Sequence, residues 1–327
     1  MYKIAIFSLK ILRKFYTKTF GVKPTKPICE QNPEIASSII FDKLIDDKPC
    51  MIARFGSTEL ATLINYIGVK HPNKDICKYI QGKSLPWWWN KGIMEQMQQW
   101  SGFFPPTQNK IEQFCELMLE DLKEVDVLGS WLVDEKYFDR NMNCSKVHLR
   151  LLEPFWNSKP WSRVLKDKKV LVIHPFAETI LSQYEKRDKL FSIKDTLPDF
   201  SSIITIKAVQ TLGQASNDYA DWFDALESMK KQINQADFDV CLIGAGAYGF
   251  PLAAHVKRIG KKAIHLGGAL QLLFGIKGKR WEDPKYGVQE WGIPHNFYPS
   301  LMNEHWVRPL KIEKPETAQK VEGACYW

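Results

Sequence analysis

The stretch Asp239-Val-Cys-Leu-Ile-Gly244-Ala-Gly246-Ala-Tyr-Gly249 decides the fold of this chain. A short apolar strand runs into the pattern Gly-x-Gly-x-x-Gly, and a helical pattern follows from Phe250 to Ile259. Gly244 and Gly246 permit a tight turn and the close approach of a diphosphate, Gly249 permits close helix-strand packing, and the helix N-terminus offers free N–H groups. The stretch predicts a cradle for nucleotide phosphates; the alternative is that the glycines only shape a turn.

A dinucleotide is the first ligand to consider for this turn, and the next strand weighs against it. Dinucleotide folds carry an Asp or Glu about 20 residues further on, which holds the ribose hydroxyls. Here the second strand reads Lys262-Ala-Ile-His265-Leu, followed by Gly267-Gly268. His265 stands where the acid belongs, so an NAD(P)-dependent oxidoreductase is kept as the alternative interpretation.

Composition indicates a globular protein with a preference for anionic partners. The chain has 327 residues, 45% of them hydrophobic, enough for one large core or two modest ones. The net charge of +8 favours nucleotide diphosphates or anionic lipids, whereas the lysines are too scattered to predict a nucleic-acid surface. Seven dispersed cysteines without a Cys-x-x-Cys motif or a secretory signal predict reduced thiols and a cytoplasmic location.

The first twenty residues combine apolar side chains with cations: Lys3, Lys10, Arg13, Lys14 and Lys18. The stretch Ile4 to Leu12 is too short to span a bilayer, Lys10 interrupts it, and no small-residue cleavage site follows. Two interpretations stay open, a basic helix at a membrane surface and a terminal helix that covers the core. We treat residues 1–33 as a basic amphipathic segment with a linker, and 34–327 as one α/β domain.

Strand patterns alternate with helix patterns along the rest of the chain. Strands are expected at 50–55, 125–128, 169–174, 203–206, 239–243 and 262–266, and helices at 35–44, 59–67, 108–123, 219–236 and 250–259. This order predicts an α/β, doubly wound, mostly parallel, Rossmann-like sheet. Ligands bind outside the carboxyl ends of such strands, so Arg54 to Glu59, His174 to Glu178, Gly244 to Gly249 and His265 to Gly268 should share one rim.

Two segments rich in aromatic residues are expected to form loops around this rim. They are Trp87-Trp88-Trp89 and the stretch 275–309, both poor in regular periodicity. Aromatic faces beside polar groups suit sugar rings, although any single Trp is more simply a core residue. Lys277, Lys279 and Arg280 in the second segment would supply positive charge for a diphosphate.

The glycine turn after Ile243 and a second strand-turn-helix pattern around Gly56 give the chain a resemblance to the GT-D class of bacterial glycosyltransferases. That family has a strand ending in Arg-Phe/Tyr-Gly followed by Asp-x-Glu, and here Arg54-Phe55-Gly56 precedes Ser57-Thr58-Glu59. It also has a strand, a glycine turn, a Leu-Ala helix and a strand ending in Ile-Gly-His, matched by Leu242 to Gly267. The resemblance covers these flanks and the element order, roughly a third of the chain. The ending 322–327 and the block 267–281 also look like those of uncharacterised proteins from polysaccharide gene clusters.

The resemblance implies transfer of a sugar from a nucleotide-sugar donor, expected to be a UDP-sugar. The acceptor would be a growing capsule, exopolysaccharide or O-antigen-type glycan, or its lipid-linked form, at the cytoplasmic membrane face. In the family the Asp-x-Glu pair handles a divalent metal, and here Ser57 takes the Asp position. One carboxylate and one hydroxyl make a poor hard-cation site, so Glu59 would ligate Mn²⁺ or Mg²⁺ only with help from substrate phosphates.

The residues expected to act on the substrates follow from these matches. Glu59 would serve as base, with Ser57 beside it and Arg54 on the diphosphate. The structural alternatives are a helix-dipole role for Glu59 and an Arg54–carboxylate pair. The nucleotide contacts would be Gly56, Gly244, Gly246, Tyr248, Gly249, His265, Gly267, Gly268, Lys279 and Arg280. A non-catalytic nucleotide-sugar or glycan binder of the same fold is the third interpretation, suggested by Ser57, and a homo-oligomer is left open.

Overall fold

The computed structural model describes residues 2–21, 25–211, 218–320 and 323–327, with only the backbone for residues 2 and 3. Within these ranges the strands form one sheet in the order β3-β2-β1-β7-β6-β4-β5, and every neighbouring pair is parallel. The strands are β1 Cys50–Ala53, β2 Val127–Ser130, β3 Ser145–His148, β4 Lys169–His174, β5 Ser202–Lys207, β6 Val240–Ile243 and β7 Lys262–His265. The predicted α/β, doubly wound, mostly parallel sheet is confirmed.

Helices cover both faces of the sheet, and polar caps fix where several begin. Asn32 accepts the N–H groups of Glu34 and Ile35 at the start of α2, and Asp221 caps α8 in the same way. The helices are α1 Tyr2–Thr19, α2 Pro33–Ile45, α3 Ser57–Lys70, α4 Ile76–Ile80, α5 Lys91–Ser101, α6 Gln108–Asp121, α7 Ala177–Tyr184, α8 Trp222–Gln235, α9 Gly249–Arg258, α10 Leu270–Leu273, α11 Val288–Trp291 and α12 Phe297–Leu301.

β1 and β6 are apolar at every position because both faces of the sheet are covered there. All four residues of β1 are buried, and the same holds for β6. Successive side chains point to opposite faces, so Met51 and Ala53 join one core layer while Cys50 and Ile52 join the other. The sheet therefore separates two apolar layers, which hold the ends of its strands in fixed positions.

The strand order brings four carboxyl ends together at the middle of the sheet. In that order β1, β7, β6 and β4 are consecutive neighbours. The residues at or just after their ends are Arg54, His265, Gly244 and His174. From β1 the chain runs outward through β2 to β3, then enters the other half at β4 and passes to the edge strand β5 before it returns inward through β6 to β7. The connection after β4 therefore leads outward and the one after β6 leads inward, so a switch point lies between β4 and β6. The rim predicted from the sequence is therefore formed by adjacent strands.

The remaining sequence expectations differ from the structure mainly at the edges. The strand expected at 125–128 begins two residues later, and β3 was not expected, because only one of its four side chains is buried. No helix in the described ranges is both long and apolar enough to cross a membrane. All seven cysteines are free thiols. Residues 22–24 of the expected linker and Glu322 of the C-terminal ending lie outside the described residues.

Candidate functional site

A cavity opens at the shared rim of β1, β7, β6 and β4. It encloses about 240 Å³, close to the lower end of the roughly 300–1,000 Å³ that small-molecule sites span. Its lining combines the ends of these strands with α5 and the C-terminus: Arg54, Gly56, Ser57, Thr58, Glu59, Trp100, Ser101, Trp131, His174, Pro175, Phe176, Gln210, Gly244, Gly246, His265, Gly267, Gly268, Gln271, Arg280, Tyr326 and Trp327.

Arg54 places a half-buried cation in the wall of this cavity. Among the described residues its guanidinium has no hydrogen bond, and its Nε is shielded from solvent. Its nearest recorded partner is the ring of Trp131, whose centroid lies 5.4 Å from Cζ. Burial lowers the pKa of Arg54, and the charge of Glu59 acts in the opposite direction. A shielded donor without a hydrogen-bonded partner is costly, so this half-buried guanidinium is suited to an anion that enters the cavity.

Glu59 lies in the first turn of α3, and its carboxylate folds back over Gly56. A methyl group built on Gly56 would lie 1.7 Å from Oε2 of Glu59. Glu59 and Arg54 form no ion pair in the described structure, although the charge of Glu59 acts to raise the pKa of Arg54. The carboxylate is half-exposed towards the cavity. The alternative in which Arg54 pairs with Glu59 is therefore not found at contact distance, and both charges remain available for a ligand.

We expect Gly56→Ala to remove activity without unfolding the protein. The backbone of Gly56 is extended, with φ −72° and ψ 145°, which alanine also adopts. The new methyl group would displace only the flexible end of Glu59, so the free energy of unfolding should change by less than about 1 kcal/mol, while any catalytic rate that depends on the Glu59 carboxylate falls at least tenfold. Gly92→Ala, whose methyl group meets nothing closer than 3.4 Å, is the matched control. Full activity of Gly56→Ala would show that the position of the Glu59 carboxylate is unimportant.

Two buried histidines end β4 and β7 beside the two charged groups. Burial lowers the pKa of His174 to about 3, and burial together with the charge of Arg54 lowers that of His265 to about 3. Nδ1 of His174 accepts the Phe176 N–H at 3.0 Å, which leaves its proton on Nε2. Nδ1 of His265 donates to the Ile243 carbonyl at 3.3 Å. Both rings are neutral near pH 7, so they offer hydrogen bonds and no charge.

The three glycines of the turn after β6 have different roles. Gly246 lines the cavity with φ +53°, a conformation that disfavours side chains, so Gly246→Val would strain the backbone as well as fill space. A methyl group on Gly244 would lie 2.6 Å from the Gly267 carbonyl, and one on Gly249 would lie 2.1 Å from the His265 ring. Gly244 and Gly249 therefore allow close packing of β6, α9 and β7, and Gly246 is the glycine placed to meet a ligand.

Several residues expected at the site lie elsewhere. Tyr248 is buried and stacks on Trp222 at 4.9 Å between ring centroids, because its side chain points into the core layer under α8. Lys279 is exposed, and its amine donates to the Gly323 carbonyl at 3.5 Å. Trp88 is buried against Tyr79, and its carbonyl accepts a hydrogen bond from Asn65. The expectations for Tyr248, Lys279 and the triple-Trp loop are corrected accordingly; Gly249 contributes only by packing.

The C-terminus supplies cavity residues that sequence reasoning did not identify. The ring of Tyr326 fills the space beside Gly268, where a methyl group would meet it at 2.3 Å, and Trp327 packs on Phe176. The Arg280 guanidinium lies 4.7 Å from the Tyr326 ring centroid, and its Nη2 donates to the Cys325 thiol at 3.0 Å. Arg280 is therefore held at the cavity by the returning chain end, which gives that ending a structural role.

A smaller compartment of about 100 Å³ adjoins the cavity. Both spaces are lined by Arg54, Trp131, Gly268, Arg280 and Tyr326, which form the wall between them. The rest of the smaller compartment combines three aromatic residues with four aliphatic residues and two charged ones: Trp281, Tyr286, Trp291, Leu149, Leu152, Leu266, Ala269, Arg150 and Glu153. The expectation that stretch 275–309 surrounds the site therefore agrees with where these rings lie.

Glu153 in this compartment is a buried carboxyl that accepts hydrogen bonds from Tyr298 and Trp156. Burial raises its pKa from 4.5 to about 7. The folded protein thus holds this proton more tightly than the unfolded chain does, and the stabilisation is present below pH 4.5 and is lost as pH rises through 7.

We expect Glu153→Gln, which cannot ionise, to escape this loss. The unfolding free energy of the variant minus that of the wild-type protein, measured in urea, should rise by up to about 3 kcal/mol between about pH 5 and pH 8.5. An identical difference in unfolding free energy at both pH values would mean that Glu153 ionises equally well in both states.

The donor set of the cavity does not fit a divalent cation. Among the described lining residues, Glu59 supplies the one side-chain carboxylate, the hydroxyls of Ser57 and Thr58 are weak ligands, and Arg54 and Arg280 contribute positive charge. Across the described ranges, no group of three or more His, Cys, Asp or Glu side chains could hold a metal. The chemistry proposed for this site therefore uses neither Mn²⁺ nor Mg²⁺.

Comparison with known proteins adds little to this geometry. No protein-family model matches the sequence, and a search of curated proteins gives no significant match. One solved structure that matches is described as "Selenomethionine substituted structure of domain of unknown function 1792 (DUF1792)". The two share 12% identity over 94% of this chain and 96% of that one, with a TM-score of 0.38. A likeness this loose carries no argument about function, which has to come from the site itself.

Proposed function

We propose that the protein is a glycosyltransferase that takes its sugar from a nucleotide-sugar donor, with a UDP-sugar as the first choice. The observation that carries the proposal is the half-buried Arg54 guanidinium, which lies in a cavity wall without a hydrogen-bonded partner among the described residues and has its Nε shielded from solvent. The cavity also contains the Gly246 turn, the carboxylate of Glu59 and a second arginine. The sequence resemblance to GT-D glycosyltransferases, through Arg54 to Glu59 and Leu242 to Gly267, supports the same activity.

The two arginines would bind the diphosphate of the donor. Arg54 and Arg280 both line the cavity, and both border the smaller compartment. Guanidinium groups bind phosphate oxygens through two parallel hydrogen bonds and hold a fixed positive charge. That charge would stabilise the diphosphate as it leaves, a task that metal ions perform in other enzymes. Gly246 leaves room for the diphosphate to approach the backbone.

Glu59 would accept the proton of the acceptor. The acceptor hydroxyl oxygen forms a bond to the anomeric carbon, and the bond from that carbon to the diphosphate oxygen breaks. The nucleoside diphosphate leaves with the electron pair, and the hydroxyl proton passes to the Glu59 carboxylate. Base catalysis of this kind contributes about 10²–10⁴ in rate. Ser57, exposed beside Glu59, is positioned to contact the acceptor.

The smaller compartment would receive a sugar ring. Its walls combine Trp131, Tyr286 and Trp291 with Arg150, and aromatic faces pack against the C–H faces of sugars. We propose that the acceptor is a capsule, exopolysaccharide or O-antigen-type glycan, assembled at the cytoplasmic face of the membrane. The two arginines in the shared wall would then lie next to the bond that breaks.

A thermal-shift screen tests the proposal against its alternatives. The ligands are UDP, GDP, CMP, TDP, NAD and NADP, each with EDTA or with manganese, since a ligand that binds only the folded state raises its apparent stability. Stabilisation by a nucleoside diphosphate in EDTA, followed by release of that nucleotide from its sugar conjugate, supports the transferase. Stabilisation by NAD or NADP alone would favour the oxidoreductase. Binding without any release in the presence of glycan acceptors would favour a non-catalytic binding protein.

A further inference from the structure

The N-terminal helix α1 leaves a continuous apolar stripe uncovered. Ile4, Phe7, Ile11 and Phe15 lie on one side of the helix, at spacings of three and four residues. Their exposed fractions are 71%, 64%, 51% and 70%. Large apolar side chains exposed in a row, rather than singly, indicate a surface that binds something.

The opposite side of α1 is attached to the rest of the protein. Arg13 donates from Nη1 to the Ser84 carbonyl at 3.0 Å, and its guanidinium lies 4.6 Å from the ring centroid of Tyr79 in α4. Ile6, Leu9 and Tyr16 on this side are half-buried. The helix is thus docked through one face, and its apolar stripe points away from the protein.

Lysines adjoin the stripe: Lys10 and Lys14 lie along one edge, and Lys18, seven residues after Ile11, lies at its C-terminal end. Lys10, Lys14 and Lys18 recur every four residues and are exposed. The helix contains no acidic residue in its 18 positions. If two copies of α1 packed stripe to stripe, their lysine rows would face each other without carboxylates to pair with, which disfavours a second copy as the occupant. An anionic lipid surface satisfies both features at once, because it takes apolar side chains and attracts the lysines.

We propose that α1 is an interfacial helix that binds the protein to membranes containing anionic lipids. The stripe inserts at the boundary between headgroups and acyl chains, and the lysines contact the headgroups. Because the other face of α1 is fixed by Arg13 and the neighbouring half-buried side chains, binding holds the whole protein at the membrane surface. The proposal does not depend on what the cavity binds.

Flotation of the full chain with lipid vesicles tests this proposal. One set of vesicles mixes phosphatidylglycerol with phosphatidylcholine, and the other contains phosphatidylcholine alone. We expect binding to the anionic set only, weakening as salt is raised. Phe7→Ser/Phe15→Ser should lower the partition coefficient at least tenfold, and Lys10→Gln/Lys14→Gln/Lys18→Gln on the order of 100-fold. Both variants should keep the wild-type melting temperature, because they alter exposed side chains.

The matched control is Lys166→Gln/Lys168→Gln/Lys186→Gln, which removes the same charge from exposed positions elsewhere. Its partition coefficient should fall less than about tenfold below that of the wild-type protein, because only its net charge is lower. If the control lost as much vesicle binding as the α1 lysine variant, net charge alone would explain the binding and the proposal would be overturned. The proposal would also be overturned if Phe7→Ser/Phe15→Ser bound anionic vesicles as tightly as the wild-type protein. A change of oligomeric state in that variant, without vesicle binding by the wild-type chain, would assign the stripe to a second copy.

Discussion

Arg54→Met should make the protein more stable and at the same time remove its nucleotide binding. The substitution replaces a half-buried cation, whose shielded Nε lacks a hydrogen bond among the described residues, with an apolar side chain of similar length. Removing one such buried unsatisfied group should raise the free energy of unfolding by about 1–3 kcal/mol. Loss of the guanidinium from the diphosphate should weaken nucleotide affinity about 100-fold, which corresponds to about 2.7 kcal/mol. Urea unfolding and isothermal calorimetry measure the two effects.

Arg163→Met is the control with the opposite expectation. Arg163 lies outside the cavity, where its Nη1 donates to the carbonyls of Lys159 and Pro160 and its guanidinium stacks 3.8 Å from the Phe41 ring centroid. Its loss should cost stability and leave nucleotide affinity unchanged. If Arg54→Met instead lowered stability and bound nucleotide normally, Arg54 would be a structural residue and the cavity would lack its anion site.

Glu59→Gln should abolish sugar transfer while donor binding survives. The amide keeps the size of the side chain but cannot accept the acceptor proton, so the rate should fall about 10²–10⁴-fold. Glu59 makes no hydrogen bond within the described structure, so its neutralisation should leave the melting temperature almost unchanged. Initial rates at saturating donor, together with the donor dissociation constant, separate the loss of kcat from any loss of binding.

Glu95→Gln provides the comparison for Glu59→Gln, because Glu95 is an exposed carboxylate on α5 away from the cavity lining. It should retain full activity. A Glu59→Gln variant that transfers sugar at the wild-type rate would remove Glu59 from the chemistry and leave it as a first-turn residue that balances the dipole of α3.

The central part of the fold could be predicted because its signals are local. The apolar run before Gly244, the glycine turn and the periodicity after it place β6 and α9 within a residue of their observed bounds. Cys50 to Gly56 gives β1 and the start of α3 in the same way. β3 lacks such a signal, because an edge strand with one buried side chain has no apolar run. The fold class follows from the alternation of elements, whereas the order of strands depends on tertiary pairing.

The candidate site could be predicted where it depends on strand ends. Arg54, His174, Gly244 and His265 follow four parallel strands, and their carboxyl ends meet at one rim once those strands are neighbours. The sequence pattern does not distinguish Lys279 from Arg280. They are adjacent in one short helical turn, and the structure directs only Arg280 to the cavity. Periodicity in a stretch this irregular does not reveal which side faces inward.

The return of the C-terminus was beyond sequence reasoning for a different reason. Tyr326 is placed by contacts with residues far away along the chain: its backbone carbonyl accepts the amide of Gln271 at 3.1 Å, and its ring fills the space beside Gly268. Neither partner carries a pattern that points to residue 326. A chain end held by tertiary contacts alone leaves no periodic signal, so its aromatic residues could be noted in the sequence but not located.

Calorimetric titration with a nucleoside diphosphate and with its parent nucleoside tests the central claim most directly. UDP and uridine, titrated in EDTA into the wild-type protein and into Arg54→Met, separate recognition of the diphosphate from recognition of the base and ribose. Our account predicts that UDP binds the wild-type protein about 100-fold more tightly than uridine does, and that Arg54→Met removes this difference. Equal affinities of UDP and uridine for the wild-type protein would contradict the account.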